Sequence, residues 1–144
     1  MTASAVLADS DLFISYLTGD GLEKHFATAV AKAESGEIEL FVCSEIYDDI
    51  VTALRSQGAG LDEVGRFVSD MRAIPHRAIP VSVEIARHAI QIYARHGGPR
   101  KLHYFDSFHV ATAGQHGLPL LTSDRYIVGH ARELGIEVMD ARTL

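Results

Sequence analysis

The chain has 144 residues, of which 47% are hydrophobic and 22% are charged, a balance typical of an ordinary globular protein. This length fits one domain, residues 1–144, that buries a single core. The formal net charge of -6 argues against a broad basic surface as the means of holding nucleic acid. Cys43 is the single cysteine, which excludes an internal disulfide and a cysteine-based metal site.

The N-terminal segment lacks the basic start and apolar stretch of a signal peptide, and no apolar run is long enough to span a bilayer. We therefore expect a cytoplasmic protein without membrane association.

Hydrophobic periodicity predicts alternating strands and helices along the chain. Ser10 or Asp11 is expected to cap the first helix, and Ser44 the helix that follows the second strand. The predicted strands lie at 4–9, 38–43, 120–122 and 136–139, and Pro75 and Pro80 bracket an extended segment. The predicted helices start at Asp11 and after Ser44 and also lie at 22–34, 61–73, 82–96, 106–116 and 125–134. Such alternation predicts a parallel or mostly parallel α/β sheet with helices on both faces.

Acidic residues recur where strands of this sheet end or where helices begin. Asp9 and Asp124 directly follow predicted strands, and Asp106 lies at a predicted helix start. Asp49 lies one turn into the helix after the second strand and shares a side with Glu45. Ligands of open α/β sheets bind outside the carboxyl ends of the strands, so these acids are expected to meet in one crevice.

Carboxylates are costly to bury without a partner, so their convergence favours a shared cation. Carboxylates without a histidine or cysteine ligand set favour Mg²⁺ or Mn²⁺ over Zn²⁺. Such ions activate water for attack on a phosphodiester. The residues therefore indicate metal-assisted phosphodiester hydrolysis.

Two segments resemble the PIN-domain nucleases, and specifically the single-domain toxins called VapC. VLADSDLFISYL is similar to the family's first strand and helix start, which places the first catalytic acid at Asp9. DSFHVATAGQHGLPLLTSDRYI resembles the family's second acidic helix and Thr-x-Asp strand end. The resemblance implies that Asp106 and Asp124 are the third and fourth acids, with Thr122 as the neighbouring hydroxyl.

The second acid departs from the family pattern, in which a Glu usually lies about five residues after a Ser or Thr. Counting from Ser44 reaches Asp49, whose side chain is one methylene shorter. Glu45 or Asp48 takes the role if the register is shifted. We favour Asp49, because its face of the helix borders the apolar stripe.

The resemblance further implies a PIN-like three-layer α/β/α fold with a central, mostly parallel sheet of four to five strands. It implies an endoribonuclease that uses Mg²⁺ or Mn²⁺ and cleaves structured RNA such as tRNA or rRNA. Asp9, Asp106 and Asp124 would hold the metal with Asp49 close by, and Thr122 or Ser10 would orient a carboxylate or water. A homodimer, and a small antitoxin protein that obstructs the acidic pocket, are the implied assemblies.

Other functions fit parts of the same pattern. A non-catalytic PIN-like RNA-binding or scaffold protein is plausible because Asp49 departs from the family. Asp9-Ser10-Asp11 also resembles the Asp-x-Asp of haloacid-dehalogenase-type phosphatases, but that family needs a later Lys, and none follows Lys101.

Each acid also has a structural interpretation. Asp9 and Asp106 are suitable helix caps, and Glu45 complements a helix dipole. Asp11 and Asp48 are expected to be helix-surface charges. His109 is expected to be a packed or hydrogen-bonded structural residue. The basic loop, residues 95–101, is expected to be a solvated flexible segment, with RNA phosphate binding as the alternative.

Overall fold

A five-stranded parallel sheet forms the centre of the computed structural model, which describes residues 4–144. The strands are β1 (Ser4–Ala8), β2 (Ile38–Cys43), β3 (Arg77–Ile79), β4 (Leu120–Thr122) and β5 (Val138–Asp140). Their order in the sheet is β3-β2-β1-β4-β5, with every neighbouring pair parallel. The predicted parallel α/β sheet is confirmed, and the bounds of β2 and β4 match those predicted.

Helices precede or follow each strand. They are α1 (Ser10–Thr18), α2 (Glu23–Glu34), α3 (Ile46–Ser56), α4 (Leu61–Asp70), α5 (Val83–His96), α6 (Tyr104–His116), α7 (Arg125–Gly129) and α8 (Ala131–Leu134). The helix predicted at 61–73 ends at Asp70 and tightens into a 3₁₀ turn, Met71–Ala73. The helix predicted at 125–134 is divided at His130, after a glycine that weakens helical propensity. Within residues 4–144, no helix is both long and apolar enough to cross a membrane.

The first and third helices begin differently from the predicted caps. Asp9 caps α1 by accepting a hydrogen bond from the Ser10 backbone N–H at 2.7 Å, so the helix begins at Ser10. Ser44 does not cap α3. Its Oγ accepts a hydrogen bond from the Val81 backbone N–H at 3.0 Å, which joins the end of β2 to the segment after β3.

The core has two layers, one on each side of the sheet. Val6 and Ala8 of β1 pack into one layer with residues of α1 to α4, while Leu7 packs into the other with residues of α5 to α8. Successive side chains of a strand point to opposite faces, so a strand that is apolar at every position is buried on both sides. The result is the three-layer α/β/α arrangement that the sequence predicts.

A turn between α5 and α6 brings the start of α6 to the edge at which β1 and β4 end. Leu102 is fully buried, and its backbone N–H donates to the His96 carbonyl oxygen at 3.1 Å. The Gly98 N–H donates to the Leu102 carbonyl oxygen at 3.3 Å. Backbone hydrogen bonds therefore fix the conformation of the basic loop relative to the end of α5.

Gly97 permits the close approach of this turn to α5. A Cβ atom there would lie 2.5 Å from ring carbons of Tyr93 and 2.6 Å from the Tyr93 carbonyl oxygen. We expect Gly97→Ala to lower the free energy of unfolding by about 1–3 kcal/mol, because backbone must shift to admit the methyl group. Urea denaturation measures this change.

Gly65→Ala is the matched control, because a Cβ at this helical position in α4 meets nothing within 4 Å. It should raise stability by about 0.5–1 kcal/mol. Equal effects of the two substitutions would contradict the described packing of the turn.

Candidate metal centre

Asp9 lies at the carboxyl end of β1 and is almost completely buried. Besides its Oδ1 contact with the Ser10 N–H, its Oδ2 accepts a hydrogen bond from the Thr122 hydroxyl at 2.8 Å. The same hydroxyl oxygen accepts a hydrogen bond from the Asp124 backbone N–H at 3.0 Å. Thr122 therefore holds Asp9 in one orientation and links the ends of β1 and β4.

Four side chains meet beside this link and form what we call the acidic group. One ligand atom from each lies within 4.8 Å of all the others: Asp9, Asp49, Asp106 and His109. The end of β1, the first turn of α6 and one turn of α3 supply the three carboxylates. Their convergence follows from the parallel topology, which brings strand ends and helix starts to one edge.

Asp49, rather than Glu45 or Asp48, reaches the acidic group. Its Oδ2 lies 2.9 Å from His109 Nε2, which also lies 3.7 Å from Asp9 Oδ1. Glu45 is the residue before α3 and makes no capping hydrogen bond with its side chain. The helical face that favoured Asp49 from sequence is thus the face that points to the site.

His109, expected from sequence to be a packed or hydrogen-bonded structural residue, lies within the acidic group. It is fully buried at the centre of the acidic group, three residues after Asp106 on the same helix. That spacing places both side chains on one face of α6 and is the signal in the sequence that pointed to this role. His109 is thus buried and hydrogen-bonded, as the sequence interpretation allowed, and the structure adds that its partner is one of the acids.

Asp124 lies beside the acidic group but outside its four members. Its Oδ1 accepts a hydrogen bond from the Ile127 N–H at 3.0 Å and so caps α7. Its charge is still close enough to contribute to the raised pKa of Asp106. A direct metal-ligand role for Asp124 stays a prediction.

Asp11 is a half-buried, hydrogen-bonded residue and not the helix-surface charge that the sequence suggested. Its Oδ2 accepts hydrogen bonds from the Ser123 N–H at 2.6 Å and the Ser123 hydroxyl at 2.5 Å. The Thr122 hydroxyl lies 3.4 Å from the same oxygen. Asp11 therefore fixes the turn after β4 against the start of α1.

A model of the PIN-domain family matches residues 6–138. The chain belongs to the PIN-domain family. A comparison with curated proteins gave no match.

Solved structures share this fold across nearly the whole chain. A toxin–antitoxin complex from Klebsiella pneumoniae has a TM-score of 0.63 and 17% identity, covering 94% of this chain and 97% of that one. VapBC2 from Rickettsia felis, bound to a DNA fragment from its promoter, has a TM-score of 0.68 and 8% identity, covering 94% and 98%. FitAcB from Neisseria gonorrhoeae has a TM-score of 0.66 and 16% identity, covering 96% and 99%. At identities of 8–17%, the similarity to these structures shows a shared fold.

Burial and the charges of neighbouring carboxylates disfavour the ionised forms of Asp9 and Asp106 in this PIN domain. Burial raises the pKa of Asp9 above its ordinary value, and the neighbouring charge of Asp49 raises it further. Burial, followed by the charge of Asp9, raises the pKa of Asp106 well above the usual range. Both shifts mean that ionising these groups together is costly unless positive charge is supplied.

His109 supplies part of that positive charge. Burial alone lowers the pKa of His109. Three contacts outweigh it and raise this pKa well above 6.5: the hydrogen bond to Asp49, the Cys43 side chain and the charge of Asp9. The raised pKa favours an imidazolium that donates to Asp49. One such cation does not balance three ionised carboxylates, so ionisation of all three leaves an excess of negative charge.

This donor set fits a divalent cation. Three carboxylates from separate elements converge on one point, and hard oxygen donors of this kind suit Mg²⁺ or Mn²⁺. His109 contributes charge rather than a ligand atom in its protonated form, because only a neutral imidazole nitrogen can coordinate a metal. The acidic group of this PIN domain is thus a possible metal-binding site.

The raised pKa values predict how stability depends on pH when no metal is bound. Between about pH 4 and the raised folded pKa, a carboxyl group holds a proton that the unfolded chain has released, so stability falls as pH rises. Burial, with the charge of Asp9, raises the pKa of Asp11 to about 7. The contribution of His109 to the free energy of unfolding changes with pH in the same direction. It is complete below about pH 6.5 and is lost as the pH rises through the pKa of the folded state.

We therefore expect the protein in a chelator to lose stability steadily from about pH 5 to about pH 8, as measured by urea denaturation. Asp11→Asn should make this slope shallower, and the exposed control Asp62→Asn should not. Saturating Mg²⁺ should oppose the loss, because it binds the ionised carboxylates. Stability that rises across this range in the chelator would contradict the described charge distribution.

Proposed function

We propose that this PIN domain is a metal-dependent endoribonuclease that hydrolyses RNA phosphodiester bonds. The observation that carries the proposal is the acidic group, in which three carboxylates meet within 4.8 Å at the carboxyl edge of the sheet. Membership of the PIN family adds support, since PIN domains are typically nucleases. The same membership leaves the phosphatase alternative without support.

In this proposal Asp9 and Asp106 hold Mg²⁺ or Mn²⁺, and Asp124 completes the set directly or through water. A cation bound there would stabilise charge on phosphoryl oxygens and activate water. Thr122 keeps Asp9 in place by its hydroxyl hydrogen bond, so the ligand is already oriented before the substrate arrives.

Asp49 is the carboxylate best placed to take a proton from the attacking water. Its side chain is 15% exposed, against 4% for Asp9 and 11% for Asp106, so it is the most open of the three. His109 donates to Asp49 Oδ2, which leaves Oδ1 as the proton acceptor. A fixed hydrogen bond of this kind orients a catalytic base without consuming both of its oxygens.

We further propose that the protein is the toxin of a toxin–antitoxin pair. Its structural neighbours are toxin–antitoxin proteins, and each is covered almost completely by this chain. The proposed partners are a small antitoxin protein, a second copy of the chain in a homodimer, and a tRNA or rRNA substrate in the cytoplasm. A basic antitoxin segment would complement the acidic group and the net charge of -6.

A non-catalytic RNA-binding or scaffold role is the second candidate. The His109 imidazolium favours it, because it already neutralises part of the charge that a metal would neutralise. The shorter Asp49 favours it as well. The two functions differ in whether RNA is cut when metal is present.

The purified protein should cleave RNA with Mg²⁺ or Mn²⁺ and stop when a chelator is added. Asp9→Asn and Asp106→Asn should each lower the cleavage rate by at least about a hundredfold, because each removes a charged ligand. Gel analysis of labelled tRNA and rRNA measures the rate.

Asp62→Asn in α4 is the control, since it removes an exposed carboxylate away from the acidic group. Full activity of both site variants would refute the proposed site. Binding of RNA without cleavage under any metal condition would favour the scaffold role.

Asp49 and Glu45 can be separated by the same assay. Asp49→Ala should lower the cleavage rate by about 10²–10⁴, the range for loss of a general base. Glu45→Ala should retain most activity, because Glu45 is not a member of the acidic group. The opposite ranking would assign the second acid to Glu45 and contradict our choice.

A further inference from the structure

The basic loop is a compact positive region on an acidic protein. Three of the 13 Lys and Arg residues lie within its seven residues, which include no acid: Arg95, Arg100 and Lys101. All three are exposed. The backbone hydrogen bonds that tie the loop to α5 hold these charges in a defined place, which a purely solvated loop does not require.

Tyr104 lies three residues after this loop and has an exposed side chain. It remains 45% exposed, although its ring makes edge contacts with three other aromatic rings. The centroid distances are 5.6 Å to Tyr93, 5.4 Å to Phe105 and 5.3 Å to Phe108. These contacts restrict the ring, so a flat partner that stacks on it meets an oriented surface.

His103 connects this part of the chain to the acidic group. Tyr104 and Asp106 both lie in the first turn of α6, but side chains two residues apart on a helix point to opposite sides, so the ring does not face the carboxylate. His103, between the loop and the ring, is exposed and has its Nδ1 3.6 Å from Asp106 Oδ2. The basic loop and Tyr104 flank His103 in the chain, so a strand of several nucleotides that runs from the acidic group past His103 is expected to reach both of them.

We infer that Tyr104 and the basic loop bind an unpaired segment of the RNA next to the bond that is cut. One base stacks on the tyrosine ring, and Arg100 and Lys101 contact the flanking phosphates. The inference rests on the proposed function, because it takes the acidic group as the place of cleavage. Stacking on a side chain requires a base face that a duplex hides, which is why the segment is unpaired.

The positive charge of the basic loop favours RNA over a protein as the partner of this surface. The loop opposes the sign of the whole chain, and a phosphate backbone is its natural complement. A second copy that docked by two-fold symmetry through this surface would bring its own basic loop against the first. Repulsion between the loops disfavours that assembly.

The test is the affinity for a fluorescein-labelled, mixed-sequence single-stranded RNA, measured by anisotropy in a chelator, where binding does not depend on cleavage. Tyr104→Ala and Tyr104→Leu should weaken binding about tenfold, while Tyr104→Phe, which keeps the aromatic face, should not. Tyr16→Ala is the matched control, a tyrosine of α1 that is 36% exposed. A blunt duplex of the same sequence should not distinguish Tyr104→Leu from wild type.

The charges are tested by salt dependence. Replacing both Arg100 and Lys101 by Gln should reduce the slope of log affinity against log salt by about 0.7 for each lost phosphate contact. The control replaces Lys32 and Arg72 by Gln, since these lie just before β2 and β3, at the opposite edge of the sheet. That pair should leave the slope unchanged.

Arg100→Gly separates binding from folding. Arg100 has a φ of 63°, a conformation that glycine adopts without strain. The variant should therefore melt at the same or a higher temperature and yet bind single-stranded RNA more weakly.

Wild-type affinity in Tyr104→Leu and in the Arg100/Lys101 double variant would overturn the inference, as would absence of RNA binding by the wild type. A change in oligomeric state with unaltered RNA affinity would also overturn it and assign the surface to a protein interface. The proposed nuclease function fails separately, if the wild type shows no metal-dependent cleavage.

Discussion

Burial of Asp9 is the constraint on which the rest of the site depends. Its carboxylate stands at the end of the central strand, where water cannot solvate it, so every oxygen contact must come from the protein or from a cation. Ser10 and Thr122 supply neutral donors, and the His109 imidazolium supplies charge. These contacts draw the start of α1, the end of β4 and the middle of α6 to one point. The same side chain therefore caps a helix and takes part in the acidic group, and the two interpretations of Asp9 from sequence are compatible.

His109 gives the shorter Asp49 a fixed place in the site that we propose. Asp49 lacks one methylene relative to Glu, and a donor that reaches its carboxylate from the opposite helix fixes it at the site. The pair also limits charge repulsion when no metal is bound. A site of this composition tolerates the absence of metal better than three carboxylates alone would, because the buried imidazolium remains.

Local patterns and parallel topology were sufficient to predict the sheet, the order of its helices and the convergence of Asp9, Asp49 and Asp106. The strands are short apolar runs, and strand ends of a parallel sheet meet at one edge. A hydrogen-bonded role for His109 was expected, but its partner Asp49 was not identified, because it lies 60 residues away and no metal-binding spacing marks the pair. Asp11 was missed for the same reason, since its partners in the turn after β4 are more than a hundred residues later. Contacts of this kind depend on tertiary packing, which periodicity does not record.

Groups of opposite charge are linked at this edge through His103, and in the proposed function the basic loop would hold a strand that the acidic group cuts. Without a cation, the acidic group repels phosphate, whereas the loop of Arg95, Arg100 and Lys101 attracts it. A divalent cation would remove this conflict by adding positive charge where the carboxylates converge. The overall charge of -6 then limits nonspecific attachment to nucleic acid, because attraction is confined to a small region. The chain can therefore be acidic as a whole and still present a local surface suited to RNA.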